Sequence, residues 1–401
     1  MPSNKEIFLR HLGQTSPAPL GIEIEKAEGV KMYGKDGKTY IDLVSGVSVS
    51  NLGHHHPQII EAIKKQVDKY MHLMVYGEIV QSPQVNFAKL LTDQLPESLN
   101  SVYLVNSGSE AIEGAMKLAK RLTGRSEIIS CKNAYHGGTH GALSIMGSET
   151  FKTTFRPLLP DTKLIEFNNF DDIQLITNKT ACFIVEPIQG EGGIISPKDG
   201  YLQAVRKRCN ETDTILVFDE IQTGFGRTGE LFAFQKYNVI PDIMCIAKAM
   251  GGGMPIGGFV SSYERMRSLT YDPVLGHITT FGGHPVSSAA AYAHLKFLVE
   301  NPKVYKEADN KANLFYDRII SHSLVKEIRK NGFFMAVELG DEELVSKMAD
   351  LLLQNGIVTD LFLFNKTAFR ISPPLPMTEE EINQAADIII KCLNILQDGK
   401  E

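Results

Sequence analysis

Short apolar runs of five to seven residues recur between residues 101 and 248, and helical patterns separate them. They are SVYLV (101–105), EIISC (127–131), CFIVEP (182–187), TILVFDE (214–220) and DIMCIAK (242–248). All are too apolar to leave one face in water, so the predicted strands belong to a mainly parallel sheet covered by helices on both sides. An α/β core is expected. After about residue 286 the rhythm changes to a long helix (SSAAAYAHLKFLVE), further helical stretches, a strand-like GFFMAVEL (332–339) and a closing helix from Thr378. That pattern predicts a smaller α+β domain. EKAEG (25–29) followed by YGKDGKTYIDL reads as a hairpin with glycine-bearing turns, outside the large sheet. The expected division is a segment 1–50 packing with the small domain, a large domain over 51–286 and a small domain over 287–401.

Composition supports a globular chain of two domains, with 401 residues, 43% hydrophobic and 22% charged. The net charge of −6, from 41 basic and 47 acidic residues, comes without a long basic run, which argues against nucleic acid as a partner. The first residues, MPSNKEIFLRHLGQTSPAP, lack the charged-then-apolar order of a secretory signal. No stretch approaches the roughly 18 apolar residues of a membrane helix. Cys131, Cys182, Cys209, Cys245 and Cys392 are scattered without a CxxC pair, so free thiols in a reducing cytoplasm are expected rather than a disulfide frame or zinc site.

Three strand ends bring candidate chemistry. Lys248 closes DIMCIAK and precedes AMGGGMPIGG. A lysine ending a buried strand is costly to desolvate unless used, and burial would lower its pKa toward the nucleophilic amine; the other reading is a lysine that has already emerged into solvent. Asp219 closes TILVFD, and ligands of open α/β sheets gather at the carboxyl ends of strands. Asp219 could equally be structural, or form a metal-binding pair with Glu220, although no HxH or HExxH accompanies it. In VNSGSEAIEGAMKLAKRL (105–122), Ser107, Gly108, Ser109 and Glu110 lead from a strand into an amphipathic helix. That helix start suits a phosphate, and it also suits ordinary capping. Neither a Walker loop nor a GxGxxG is present. In AYHGGTHGALS (134–144), Tyr135 could face a flat ring or be a core residue, with Gly137 and Gly138 letting the backbone pass closely. The GHHHP run (53–57) reads as a turn entering a helix, since three consecutive histidines cannot converge on one metal.

Taken together, these stretches resemble the class III aminotransferases, fold type I pyridoxal-phosphate (PLP) enzymes that include ornithine, acetylornithine and 4-aminobutyrate aminotransferases. The markers are SGVSVSNLGHHHP (45–57), NSGSEAIEGAMKLAK (106–120), VEPIQGEGG (185–193), VFDEIQTGFGRTG (217–229), the Lys248 strand, TTFGGHP (279–285) and FRISPPL (369–375), in order over nearly the whole chain. The resemblance implies that Lys248 carries PLP as a Schiff base and shuttles the proton, while Asp219 pairs with the ring nitrogen and makes the ring an electron sink. It implies phosphate contacts from Gly108 and Ser109 and from Thr280 of a neighbouring subunit, hence a homodimer with shared active sites. Tyr135 would stack on the ring, with His136 close by, Gln222 at the phenolic oxygen and Glu186 in the surrounding network.

For substrate choice the resemblance singles out Glu191 and Arg370, a pair in which the glutamate covers the arginine while an ω-amine donor binds and swings away to admit 2-oxoglutarate. An Arg–Glu pair could also be a plain salt bridge, but the planar arginine fork suits a carboxylate substrate. Thr279, beside Thr280, belongs to the substrate side. One position departs from the pattern: Gly137, Gly138 and Thr139 stand where ornithine and 4-aminobutyrate members have Gly-Arg-Thr. The missing arginine, which binds a distal carboxylate, counts against those substrates and in part against 2-oxoglutarate. Pro17, Ala18 and Pro19, where ornithine-specific members are expected to place an aromatic residue, count against strict ornithine specificity. The expected activity is transfer of an amino group from an acetylornithine- or ornithine-like donor to a keto acid. A 4-aminobutyrate or other ω-amine:pyruvate transaminase, an aminomutase or a decarboxylase on the same scaffold are the rivals, and a silent binding subunit is the alternative from another class.

Overall fold

The computed structural model describes residues 2–399 and contains three sheets. The largest has seven strands in the order Ser101–Val105, Gly257–Ser261, Ile243–Ile246, Ile215–Asp219, Thr180–Val185, Glu127–Cys131 and Thr162–Ile165. The last five of these run parallel to one another, and Gly257–Ser261 is antiparallel to both of its neighbours. The mainly parallel α/β core is thus present. Its central strands are buried along their whole length, as their unbroken Ile, Val, Phe and Cys content requires. Two strands of this sheet escaped the sequence reading. TKLI (162–165) is a partly exposed edge, and the GGFVS strand (257–261) begins with two glycines that carry no apolar signal.

Helix Gly108–Thr123 lies against this sheet through Ala111, Ile112, Ala115, Met116, Leu118 and Ala119, spaced for one face. Ser107 caps its start by accepting the Glu110 amide at 3.2 Å, and Gly124 ends it in the left-handed conformation. The strands Ile24–Glu28, Lys31–Gly34 and Thr39–Asp42 form an antiparallel meander, and Ile357–Val358 joins its edge in parallel with Ile357 opposite Ile41. A third, antiparallel sheet holds Glu327–Lys330, Met335–Glu338 and Ala368–Ile371. The closing helix, Glu379–Asp398, starts at the Thr378–Glu381 capping box and buries Ile382, Ala385, Ile389, Leu393 and Leu396. Each large aliphatic side chain so buried stabilises the packing by about 1.5–3 kcal/mol.

One backbone feature shapes the approach to the site. Ser45, Gly46, Val47 and Ser48 have φ of 49°, 62°, 61° and 64°, a left-handed turn that costs non-glycine residues about 1–2 kcal/mol each. Asp42 holds it: one carboxylate oxygen accepts the Val44 and Ser45 amides at 2.8 Å, and the other faces His54 Nε2 at 2.8 Å. Of the three histidines, His54 is therefore tied to Asp42, His55 is exposed, and His56 begins helix Pro57–Lys69.

Candidate active site

At the carboxyl ends of the central strands lies a cavity of about 410 Å³, lined by residues from several segments of the chain. Ser107, Gly108 and Ser109 enter from the start of helix Gly108–Thr123, Tyr135 to Gly137 from the loop after Glu127–Cys131, and Glu186 from the end of Thr180–Val185. Asp219 and Gln222 come from Ile215–Asp219 and the loop behind it, and Lys248 from the turn after Ile243–Ile246. Helix geometry leaves the first-turn amides of Gly108 and Ser109 without intrahelical acceptors, so they and the helix dipole can hold an anion. A Cβ at Gly137 would collide with the Ser109 hydroxyl, which explains the glycine in that loop.

Asp219 is almost fully buried, and its Oδ2 faces His136 Nδ1 at 2.7 Å while Oδ1 accepts the Ile221 amide at 3.0 Å. A carboxylate is acceptor-only, so His136 donates from Nδ1. Burial opposes a charge on His136, but the bond to Asp219 and the field of its carboxylate outweigh that and raise its pKa. Glu186 accepts the Tyr135 amide at 3.2 Å and the Gly190 amide at 3.1 Å, fixing the loops on both sides of the cavity. Burial pushes its carboxyl up to about 7, with His136 opposing and Asp219 assisting. Glu220 points away from Asp219: it bonds the Thr223 hydroxyl and accepts the Ala233 and Phe234 amides, capping helix Ala233–Tyr237. The two carboxylates therefore do not form a metal pair.

Lys248 lies beyond the strand, which ends at Ile246, and opens a short 3₁₀ turn with φ of 49°. That conformation is uncommon for a residue with a side chain and recurs at functional sites. Part of the side chain faces the cavity, while its ammonium is deep enough that burial lowers its pKa to about 8; Glu191 opposes the shift and Arg370 adds to it. Only the neutral amine is a nucleophile. In apoprotein, carbamylation of Lys248 by cyanate, followed by peptide mass spectrometry, is expected to climb with pH and level off just above pH 8. Exposed lysines should keep climbing toward about pH 10.4. A Lys248 profile parallel to theirs would show an ordinary surface amine.

A family model described as aminotransferase class-III matches residues 13–393 of the chain. The chain belongs to the class-III aminotransferases. It is 39% identical over 378 residues to the acetylornithine aminotransferase of Clostridium acetobutylicum, an alignment covering 92% of this chain and 95% of that protein. It is 37% identical over 379 residues to ornithine aminotransferase 1 of Staphylococcus aureus, covering 92% and 93%. Among solved structures, the Toxoplasma gondii ornithine aminotransferase, crystallised with oxidized glutathione and holding PLP at partial occupancy, superposes with a TM-score of 0.91 at 29% identity, covering 98% and 94% of the two chains. A transaminase from the marine bacterium Virgibacillus gives 0.92 at 25% identity, covering 99% of each.

As a class-III aminotransferase the chain is a PLP-dependent enzyme, and the donor set of the cavity fits that cofactor. An anion cradle at Gly108 and Ser109, a flat face at Tyr135, a buried carboxylate backed by an imidazole and an amine of lowered pKa converge on one space. His136 Nε2 is buried with no hydrogen-bond partner among the described residues.

Behind Gln222 stand Glu191 and Arg370, both buried and both off the cavity wall. Arg370 Nη2 donates to Glu191 Oε1 at 2.7 Å, Arg370 Nη1 donates to Gln222 Oε1 at 3.3 Å, and Gln222 Nε2 donates to Glu191 Oε1 at 3.1 Å. Burial would raise the Glu191 carboxyl, but the Arg370 charge and its direct bond hold it below its ordinary value. The sequence reading paired these two residues; it did not find what surrounds them. Phe362 lies under the guanidinium at 4.7 Å, and the Leu363 and Phe364 amides donate to Glu191 at 3.2 and 3.1 Å. These neighbours come from an irregular loop with no periodic signal.

Three expected residues lie elsewhere in the single chain. Thr280 is exposed, outside this cavity. Thr279 accepts from Asn106 Nδ2 at 2.9 Å and lines a neighbouring apolar cleft. Gly138 is exposed, its amide donates to Ser109 Oγ at 3.3 Å, and nothing stands within 4 Å of where a side chain would begin. Pro17 and Ala18 are exposed and Pro19 is partly so, none of them on the cavity wall; from the N-terminal segment the wall receives Val49.

Proposed function

We propose that the chain moves an amino group from an ω-amino donor of the acetylornithine or ornithine type to a keto acid such as 2-oxoglutarate. The observation that carries this reading is Arg370, a buried guanidinium beside the cavity that is covered by a single carboxylate, Glu191. Such a pair serves two substrates in turn, because a carboxylate-bearing acceptor can replace Glu191 on the arginine fork. The names of the similar curated proteins support the donor class.

Bound PLP would supply an electrophilic carbon for the amine and a ring that accepts the electron pair left by removal of a C–H proton. Lys248 would anchor it and, once released, take that proton at Nζ and return it one carbon away. Asp219 would hold the ring nitrogen in its charged form, with His136 fixing the carboxylate from behind. Gly108 and Ser109 would bind the phosphate, Tyr135 the ring face and Gln222 the side bearing the phenolic oxygen, and Glu186 would keep the loops at Tyr135 and Gly190 in register. Thr280 and Thr279 would act in the partner's site of a homodimer. The exposed apolar surface around them supports this, with Leu73, Val80, Val274, Ile278 and Phe281 uncovered beside a cleft of about 540 Å³. A soluble cytoplasmic enzyme accords with five free, buried cysteines and with no helix, among the described residues, long and apolar enough to cross a membrane.

Gly138 favours a second reading of the donor, an ω-amine without a distal carboxylate, with pyruvate as acceptor. The loop carries no cation there, and the nearby Glu113 carboxylate is taken up by the Thr139 hydroxyl and the Gly141 and Ala142 amides. A panel of N-acetylornithine, ornithine, 4-aminobutyrate and monoamines against 2-oxoglutarate and pyruvate separates the two. Arg370→Ala is expected to lower kcat/KM for 2-oxoglutarate by about 100-fold, the scale for losing a buried charged contact, and to affect a monoamine donor far less. Equal loss with donor and acceptor, or release of carbon dioxide from the donor, would overturn the reading.

A further inference from the structure

Arg227 and Arg370 are the largest fully buried side chains among the described residues, and unlike Arg370, which pairs with Glu191, Arg227 has no carboxylate among those residues on it. Its Nη1 donates to the carbonyls of Phe333 at 3.0 Å and Pro373 at 2.6 Å, and its Nη2 donates to Ser45 Oγ at 3.0 Å and to Asn51 Oδ1. All four acceptors are neutral, and Nε has no partner among the described residues. Burying an uncompensated guanidinium is expensive, and a neutral side chain of similar volume would serve packing better. Burial lowers the pKa of Arg227 to about 9; Asp42 opposes this, and the Arg370 charge adds to it. The two cations are therefore close enough to repel.

What Arg227 grips explains why it is kept. Met335 pairs with Ile371 and Ala336 with Arg370, so Phe333 and Pro373 mark one end of the two-strand ladder that carries Arg370. The same end is tied to the N-terminal segment by Ser45 Oγ donating to the Ser372 carbonyl at 2.8 Å, the Ser372 amide to Leu43 at 2.8 Å and the Leu375 amide to Asn51 at 2.8 Å. Gln222, five positions from Arg227 on the turn after Asp219, holds the Arg370 side chain itself. One loop thus fixes both the strand and the fork of Arg370.

We propose that Arg227 is the positioning residue for Arg370 and acts on the half of the cycle in which a substrate carboxylate replaces Glu191. This rests on the reading of Arg370 given above. While Glu191 covers Arg370, that ion pair holds the fork by itself, and the clamp matters little. When Glu191 moves away, the fork depends on its strand and on Gln222, and the second buried cation strengthens the demand for an incoming anion.

The test uses holoenzyme with Arg227→Met and Arg227→Lys, each half-reaction followed separately by the cofactor spectrum, and glutarate binding by calorimetry as a readout without turnover. Arg227→Met is expected to leave the half-reaction with a monoamine donor within about 3-fold of wild type, and to weaken both 2-oxoglutarate in the accepting half and glutarate at least 10-fold. Arg227→Lys, which keeps charge but loses the fork, should recover part of the glutarate affinity. Equal loss in both halves, or unchanged glutarate binding, overturns the proposal. Should Arg227→Met not fold, Ser45→Ala removes one bond to Arg227 and one to Ser372 and carries the same test, with a selective loss of at least 3-fold on the accepting side expected and an even loss decisive against it. If wild type itself binds glutarate without dependence on Arg370, the reading of Arg370 fails, and with it the premise rather than the clamp.

Discussion

Lys248→Ala is expected to lower turnover by at least about 10³-fold, within the 10²–10⁴ range by which a positioned proton-transfer group acts, and to remove the absorbance that borohydride fixes onto the chain. Among the described residues Lys248 is the only lysine on the cavity wall, so no neighbouring amine there can take its place. Stability should move the other way. Its folded pKa of about 8 lies below that of a free lysine, so the folded state carries a desolvation cost below pH 8 that is relieved as pH rises toward about 10.4. Near pH 7, apoprotein of the variant should therefore melt at or above the wild-type temperature. The comparison must be made on apoproteins, because a bound cofactor raises the melting point by mass action. Transfer within about 10-fold of wild type, or a large loss of apoprotein stability, would show that Lys248 is a structural residue.

The sequence carried the parts of this site that regular elements supply. Ser101–Val105 and Glu127–Cys131 match their apolar runs residue for residue, the first partly covered and the second buried throughout, because short runs rich in Val, Ile and Tyr favour strands. The same signal overshot at DIMCIAK, where the strand stops at Ile246 and Lys248 sits in a left-handed turn. Apolar content cannot register a change in φ. Arg370 was found through its motif, but its strand Ala368–Ile371 was not, since four residues with one buried cation have no periodicity to read. Phe362 and Gln222 act on Arg370 from 8 and 148 positions away, and only tertiary packing brings them there. Arg227 looked like part of a loop motif, and its neutral partners at Ser45, Asn51, Phe333 and Pro373 come from three distant stretches.

Asp219→Asn preserves the shape of the side chain and should nonetheless lower turnover by about 10³-fold, or roughly 4 kcal/mol at 1.36 kcal/mol per decade. Two effects add. The carboxylate is the buried anion that would favour a protonated ring nitrogen, and in a site closed to water its charge acts over a low dielectric. An amide offers no such charge. Asp219 also accepts from two donors, His136 Nδ1 and the Ile221 amide, and asparagine has one acceptor oxygen for the pair. Its NH₂ group is paired only if His136 moves its proton to Nε2 and accepts at Nδ1; otherwise a buried group is left unpaired at a cost of about 1–3 kcal/mol, visible as a lower melting temperature. The proton on His136 reports the change independently of turnover. In the wild type Asp219 raises the His136 pKa against the pull of burial, so without the carboxylate burial is opposed only by the field of Glu186 and the pKa should fall. NMR titration of the imidazole in apoprotein reads this directly. An unchanged His136 titration would mean that the 2.7 Å contact does not persist in solution, and the role of Asp219 would have to be sought without it.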